Sequence, residues 1–121
     1  MDYFLKFLIR ISVLHRKLAF VTLKILKLLK KNRGYFNIGN NKMFLDFLDP
    51  IDREIIIKKK YEENEISKLH KLTKNFNANY FLDIGANNGY YSIKFSQLYK
   101  YIEVIAFEPN NEAYFKFKKT L

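Results

Sequence analysis

Apolar residues recur at helical spacing along residues 3–31. At about 100° per residue, Phe4, Phe7, Leu8, Ile11, Leu14, Leu18, Val21, Ile25, Leu26 and Leu29 fall along one stripe. Lys6, Arg10, Lys17, Lys24, Lys27 and Lys31 fall opposite it. The pattern predicts one basic amphipathic helix over residues 1–33, ended at Arg33-Gly34 because glycine commonly terminates helices. The period then changes. Tyr35–Ile38 and Lys42–Phe47 flank Gly39-Asn40-Asn41 and predict a short hairpin. A helical pattern returns from Asp52 to Leu72, interrupted by Lys58-Lys59-Lys60, which reads as a solvated face. Asn75–Asn79 is a polar connection. His15 reads as a packing residue and His70 as a surface helix residue.

Residues 80–121 follow a different rhythm. Tyr80-Phe81-Leu82-Asp83-Ile84 is a short apolar run suited to a buried parallel strand, and it stops at Gly85-Ala86-Asn87-Asn88-Gly89. A helical stretch runs on to Tyr99, a second apolar run spans Ile102–Phe107, and a further helix starts at Asn110-Asn111-Glu112. The order predicts a βαβ unit with a right-handed crossover. The expected fold class is α/β: the first βαβ unit of a Rossmann-like domain at 80–121, preceded by a hairpin and helical lead-in at 34–79 and the basic helix at 1–33.

Glycine turns between a strand and a helix let the backbone approach a ligand, and the helix start presents unpaired N–H groups. Gly85 and Gly89 frame such a turn. Asp83, near the carboxyl end of the first strand, faces the crevice where open α/β sheets bind ligands, and Glu108 ends the second strand. A carboxylate in that second position can accept the hydroxyl hydrogens of a ribose. A dinucleotide fingerprint would place glycine where this chain has Asn87, and Asp83 would repel a pyrophosphate. An acid there can instead bind the ammonium of an amino acid. The spacing therefore favours S-adenosylmethionine over a nicotinamide dinucleotide.

The run Phe81-Leu82-Asp83-Ile84-Gly85-Ala86-Asn87-Asn88-Gly89-Tyr90-Tyr91-Ser92, followed by Ile105-Ala106-Phe107-Glu108-Pro109-Asn110, closely resembles the FkbM-type methyltransferase family. Tyr61-Glu62 is similar to the tyrosine–glutamate element that precedes the first strand there. The resemblance spans roughly residues 42–121. It implies O-methyl transfer from S-adenosylmethionine to a small-molecule or glycan hydroxyl. It also implies a cofactor site lined by Asp83, Gly85, Asn87, Gly89 and Glu108, with Glu62 as a further contact. The two strands and hairpin predicted here are fewer than the roughly seven strands of a complete methyltransferase sheet. The chain is thus expected to be an N-terminal part, inactive alone, that needs a second chain or a C-terminal half for the acceptor site. The competing reading is a non-enzymatic remnant whose basic helix binds a membrane surface or a partner protein.

Composition narrows the chemistry further. The 121 residues contain no cysteine and two histidines, which excludes disulfides, thiolate metal sites and a cysteine nucleophile. Asp46, Asp49 and Asp52 recur around Pro50, but aspartates in a turn are usually solvated or capping residues, so no metal site is expected. The net charge is +10, yet ten of the 22 Lys and Arg residues and only one of the 12 acids lie in the first 45 positions. The basicity belongs to one segment, and no basic, aromatic-studded sheet suggests nucleic-acid binding. A basic amphipathic helix either lies on an anionic membrane surface or packs its stripe on the following residues, and both readings stay open. No uncharged run approaches the roughly 20 residues that cross a bilayer, and no secretory signal is recognisable. The expected location is the cytoplasm, with peripheral attachment to the inner face of the membrane if the helix binds lipid.

Overall fold

The computed structural model describes Phe7 and residues 16–121; the rest of the predicted first helix, with His15, lies outside the described residues. The chain forms two compact units, Met1–Lys60 and Tyr61–Leu121, so the 34–79 lead-in is shared between them. The architecture is mixed α/β, with five helices and two two-stranded sheets among the described residues.

In the first unit, helix α1 (Arg16–Leu28) leads to the antiparallel strands β1 (Arg33–Ile38) and β2 (Asn41–Asp46), then to α2 (Pro50–Lys58). Helix α1 ends earlier than its sequence predicts, and Gly34 lies within β1. The reason is a Schellman cap closed by a lysine. Lys30 adopts φ 51°, its N–H reaches the Lys27 carbonyl, and the Lys31 N–H reaches Leu26. The hairpin forms as expected around Gly39-Asn40, with Gly39 at φ 58° in the loop position that needs glycine. Phe36 and Ile38 of β1 alternate inward to join Met43, Leu45, Ile55 and Leu26 in the core.

The three aspartates differ from a solvated turn. Asp49 does cap α2, accepting from the Ile51 and Asp52 amides, with Pro50 opening the helix. Asp46 and Asp52 are buried braces. Asp52 accepts the Asp46 N–H at 2.8 Å, while Asp46 accepts from Arg33 Nε at 2.7 Å, Asn32 Nδ2 and the Leu48 amide. Burial pushes the Asp46 carboxyl up, but hydrogen bonds from Asn32, Arg33 and Leu48 and the Arg33 charge outweigh it and hold the carboxyl below its usual value.

The second helical pattern is two helices. Helix α2 stops at Lys59, in the left-handed region at φ 60°, and α3 (Glu63–Asn75) starts after Glu62 at φ 46°. Strand β3 (Tyr80–Ile84), helix α4 (Tyr90–Leu98), strand β4 (Glu103–Phe107) and helix α5 (Asn111–Thr120) complete the second unit. Strands β3 and β4 pair in parallel, from Tyr80 opposite Glu103 to Ile84 opposite Phe107. Phe81 stacks on Phe95 at 3.9 Å, and Phe95, Tyr99 and Ile102 form the core under them. His70 is half-buried rather than superficial: its ring and its carbonyl both meet the Tyr99 hydroxyl. Strand β3 is covered on one face instead of two. Phe81 and Asp83 turn toward α4, whereas Tyr80, Leu82 and Ile84 are exposed. Parallel strands are ordinarily covered on both faces, so the open face of Tyr80, Leu82 and Ile84 departs from the expected buried strand.

Candidate functional site

The site is built at the carboxyl end of the parallel pair. The backbone leaves β3 at Ile84 and is pinned to β4 at once, because the Gly85 and Ala86 amides both donate to the Phe107 carbonyl. Three residues of the turn then take positive φ: Gly85 at 81°, Asn87 at 50° and Gly89 at 80°. Asparagine is among the few residues with a side chain that tolerate this region, which accounts for Asn87. The glycines differ in their reasons. Nothing lies within 4 Å of a Cβ added at Gly85, so conformation alone demands glycine there. At Gly89 such a Cβ would stand 2.2 Å from the Phe117 ring, so packing demands it as well.

Helix α4 begins at this turn without a side-chain cap from Gly89. Its orphan donors are met from elsewhere. The Tyr90 amide donates to Asn88 Oδ1, and the Ser92 amide and hydroxyl both donate to Asp83 Oδ2, at 3.1 and 2.6 Å. Asp83 is therefore the acid at the positive end of α4, and both bonds fall on one of its oxygens. Glu108 sits on the far side of the turn. Its Oε2 accepts the Asn87 amide at 2.6 Å and its Oε1 accepts the Asn110 amide at 2.7 Å. The same Asn110 caps α5 through its side chain.

Asp83, Gly85, Asn87, Gly89 and Glu108 are thus brought together at one end of the sheet. Ile84, Gly85, Phe107, Glu108 and Pro109 line an open cleft of about 680 Å³ there, within the size range of small-molecule sites. Its walls are apolar, and of the predicted residues Gly85 and Glu108 line it, while Asp83, Asn87 and Gly89 lie in the adjoining strand and turn outside its lining. Glu62 stands apart from these lining residues. It precedes α3 and accepts the Tyr91 hydroxyl at 2.5 Å, while the neighbouring Glu63 accepts the Tyr90 hydroxyl. Burial first, and the carboxylates second, push both tyrosines up, Tyr90 to about 12.

Sequence reasoning missed Ser92, Asn88 and Phe117. Ser92 lies nine residues after Asp83, and no local spacing rule pairs the two. No signal pointed to Phe117 either. No group of acidic and histidine side chains with metal-binding geometry occurs among the described residues. Comparison with protein-family models, with curated proteins and with solved structures finds no match for the chain.

Proposed function

We propose that the second unit is the cofactor-binding part of an S-adenosylmethionine-dependent methyltransferase of the FkbM type, acting on a small-molecule or glycan hydroxyl. The observation that carries this reading is the bond from the Asn87 amide to Glu108 Oε2, which joins the acid after β4 to the turn after β3. A carboxylate has about four acceptor positions, and the two backbone donors leave room on Glu108 for the two hydroxyls of a ribose. Both Ser92 donors fall on Asp83 Oδ2, which leaves Oδ1 as the acceptor for an ammonium group in this reading. The apolar wall of Ile84, Phe107 and Pro109 suits the flat face of an adenine.

These residues bind and orient; the bound cofactor would supply the electrophilic methyl group. A pyrophosphate fits less well. It needs the free N–H groups of the helix start, and the Ser92 amide there is already taken by the Asp83 carboxylate. Titration of the purified chain with S-adenosylhomocysteine tests the reading. Glu108→Ala should weaken binding roughly tenfold or more, as expected for loss of hydrogen bonds to a charged group worth about 1.5–3 kcal/mol. Unchanged affinity in Glu108→Ala would remove the basis of the assignment.

A further inference from the structure

Helix α1 resolves into two arcs. With Val21 set at 0° and about 100° per residue, Thr22 and Leu26 stand near 100° and 140°, and both are buried. Lys27, Lys24 and Leu28 stand near 240°, 300° and 340°, and with Val21 they make the outward arc, all four exposed. Leu28 is 83% exposed, Val21 50% and Leu29, in the turn that follows, 47%. Lys30 and Lys31 surround that turn and are exposed too. The inner arc already supplies the packing of the helix, so the outward leucines and valine are not needed for the core of this unit.

We infer that this outward arc, with the turn at 29–31, is a docking surface for an anionic lipid bilayer. Charge complementarity selects the partner. Ten basic residues and one acid occupy the first 45 positions, so the segment carrying the arc is strongly positive. Exposed aliphatic side chains interleaved with lysines match a headgroup layer: the ammonium groups meet lipid phosphates while Leu28, Leu29 and Val21 enter the acyl boundary. A polynucleotide would use the charge but has no use for a pair of exposed leucines. The contact is peripheral, because no helix among the described residues is long and apolar enough to cross a membrane. None of these residues is among those that line the cleft beside Glu108, and the inference stands or falls independently of the methyltransferase reading.

The test is co-sedimentation of the full chain with vesicles of equimolar phosphatidylcholine and phosphatidylglycerol, and with phosphatidylcholine alone. The chain should pellet with the anionic vesicles, release in high salt as screening grows, and stay in solution with the neutral ones. Lys27→Gln with Lys30→Gln should weaken binding roughly 25-fold, at about fivefold for each lysine near the surface. Val21→Ser with Leu28→Ser should weaken it by about tenfold, the loss expected when aliphatic surface no longer enters the lipid. Both pairs are exposed, so unfolding curves should match the parent chain and show that the fold survives. Equal binding to neutral vesicles, or parental binding by the serine pair, would overturn the inference. So would a single-stranded RNA that displaces the vesicles and binds the serine pair as tightly as the parent, because the arc would then be a polyanion site.

Discussion

Gly89→Ala separates backbone strain from packing at the turn that opens α4. At φ 80° an alanine costs about 1–3 kcal/mol through backbone strain. Its Cβ would also stand 2.2 and 2.3 Å from two carbons of the Phe117 ring, which is buried and has to move. Overpacking of that kind costs about 1–3 kcal/mol more. Gly85→Ala is the internal control, with nearly the same φ of 81° and open space around the added carbon. It should cost the backbone part alone. Urea unfolding followed by circular dichroism, extrapolated to water, gives both values. Gly89→Ala should fall below Gly85→Ala by about 1–3 kcal/mol, and Phe117→Leu should recover part of that difference in a double-mutant cycle. Equal costs at the two glycines, or strict additivity with Phe117→Leu, would refute the packing argument.

Asp83→Ala should lower stability by about 1.5–3 kcal/mol in the same assay, because the Ser92 amide and hydroxyl lose a charged acceptor. Asp83→Asn, which keeps an acceptor oxygen, should lose less. The Asp46 carboxyl titrates below its ordinary value of 3.8 in the folded chain, so its contribution is full above that value and is lost as pH falls through the folded value. Arg33→Gln should therefore destabilise the chain at neutral pH by about 0.5–1 kcal/mol, a figure reduced for the exposure of Arg33, and the difference should vanish in acid. Burial and Glu63 raise Tyr90 to about 12, so folding should weaken from the ordinary tyrosine value of 10.0 upward as the unfolded chain ionises first. Ultraviolet titration of Glu63→Gln should show Tyr90 ionising at lower pH than in the parent, though still above its ordinary value because burial remains.

Strand β3 was legible to the residue because a five-residue apolar run meets a glycine, and Gly39 marked the hairpin loop equally well. The end of β4 at Phe107 and the cap of α5 at Asn110 were legible without glycine, but the ends closed by left-handed lysines and a glutamate were less so. Lys30 takes a positive φ that its side chain does not advertise, so α1 ends short of the pattern's limit, whereas the break at Lys58-Lys59-Lys60 coincides with the end of α2 at Lys59. Asp49 was legible as a cap, but the bracing by the Asp46 carboxylate depends on the Arg33 pairing that hairpin register creates, and that by Asp52 on the fold of the turn back to the Asp46 amide. Within the candidate site, the meeting of Asn87 and Glu108 followed from the βαβ order, since parallel pairing brings both carboxyl ends to one edge. The Phe117 contact at Gly89 depends on how α5 returns to the turn, which no local pattern encodes.

The most direct test of the cofactor reading is a backbone-amide NMR titration of the full chain with S-adenosylhomocysteine, beside a parallel titration with the oxidised nicotinamide dinucleotide. Saturating shifts are expected at Gly85, Ala86, Asn87, Gly89 and Glu108 with the first ligand, reduced in Glu108→Ala, and no comparable shifts with the second. Shifts at those residues with the dinucleotide instead, or none with S-adenosylhomocysteine at millimolar concentration, would contradict the cofactor reading.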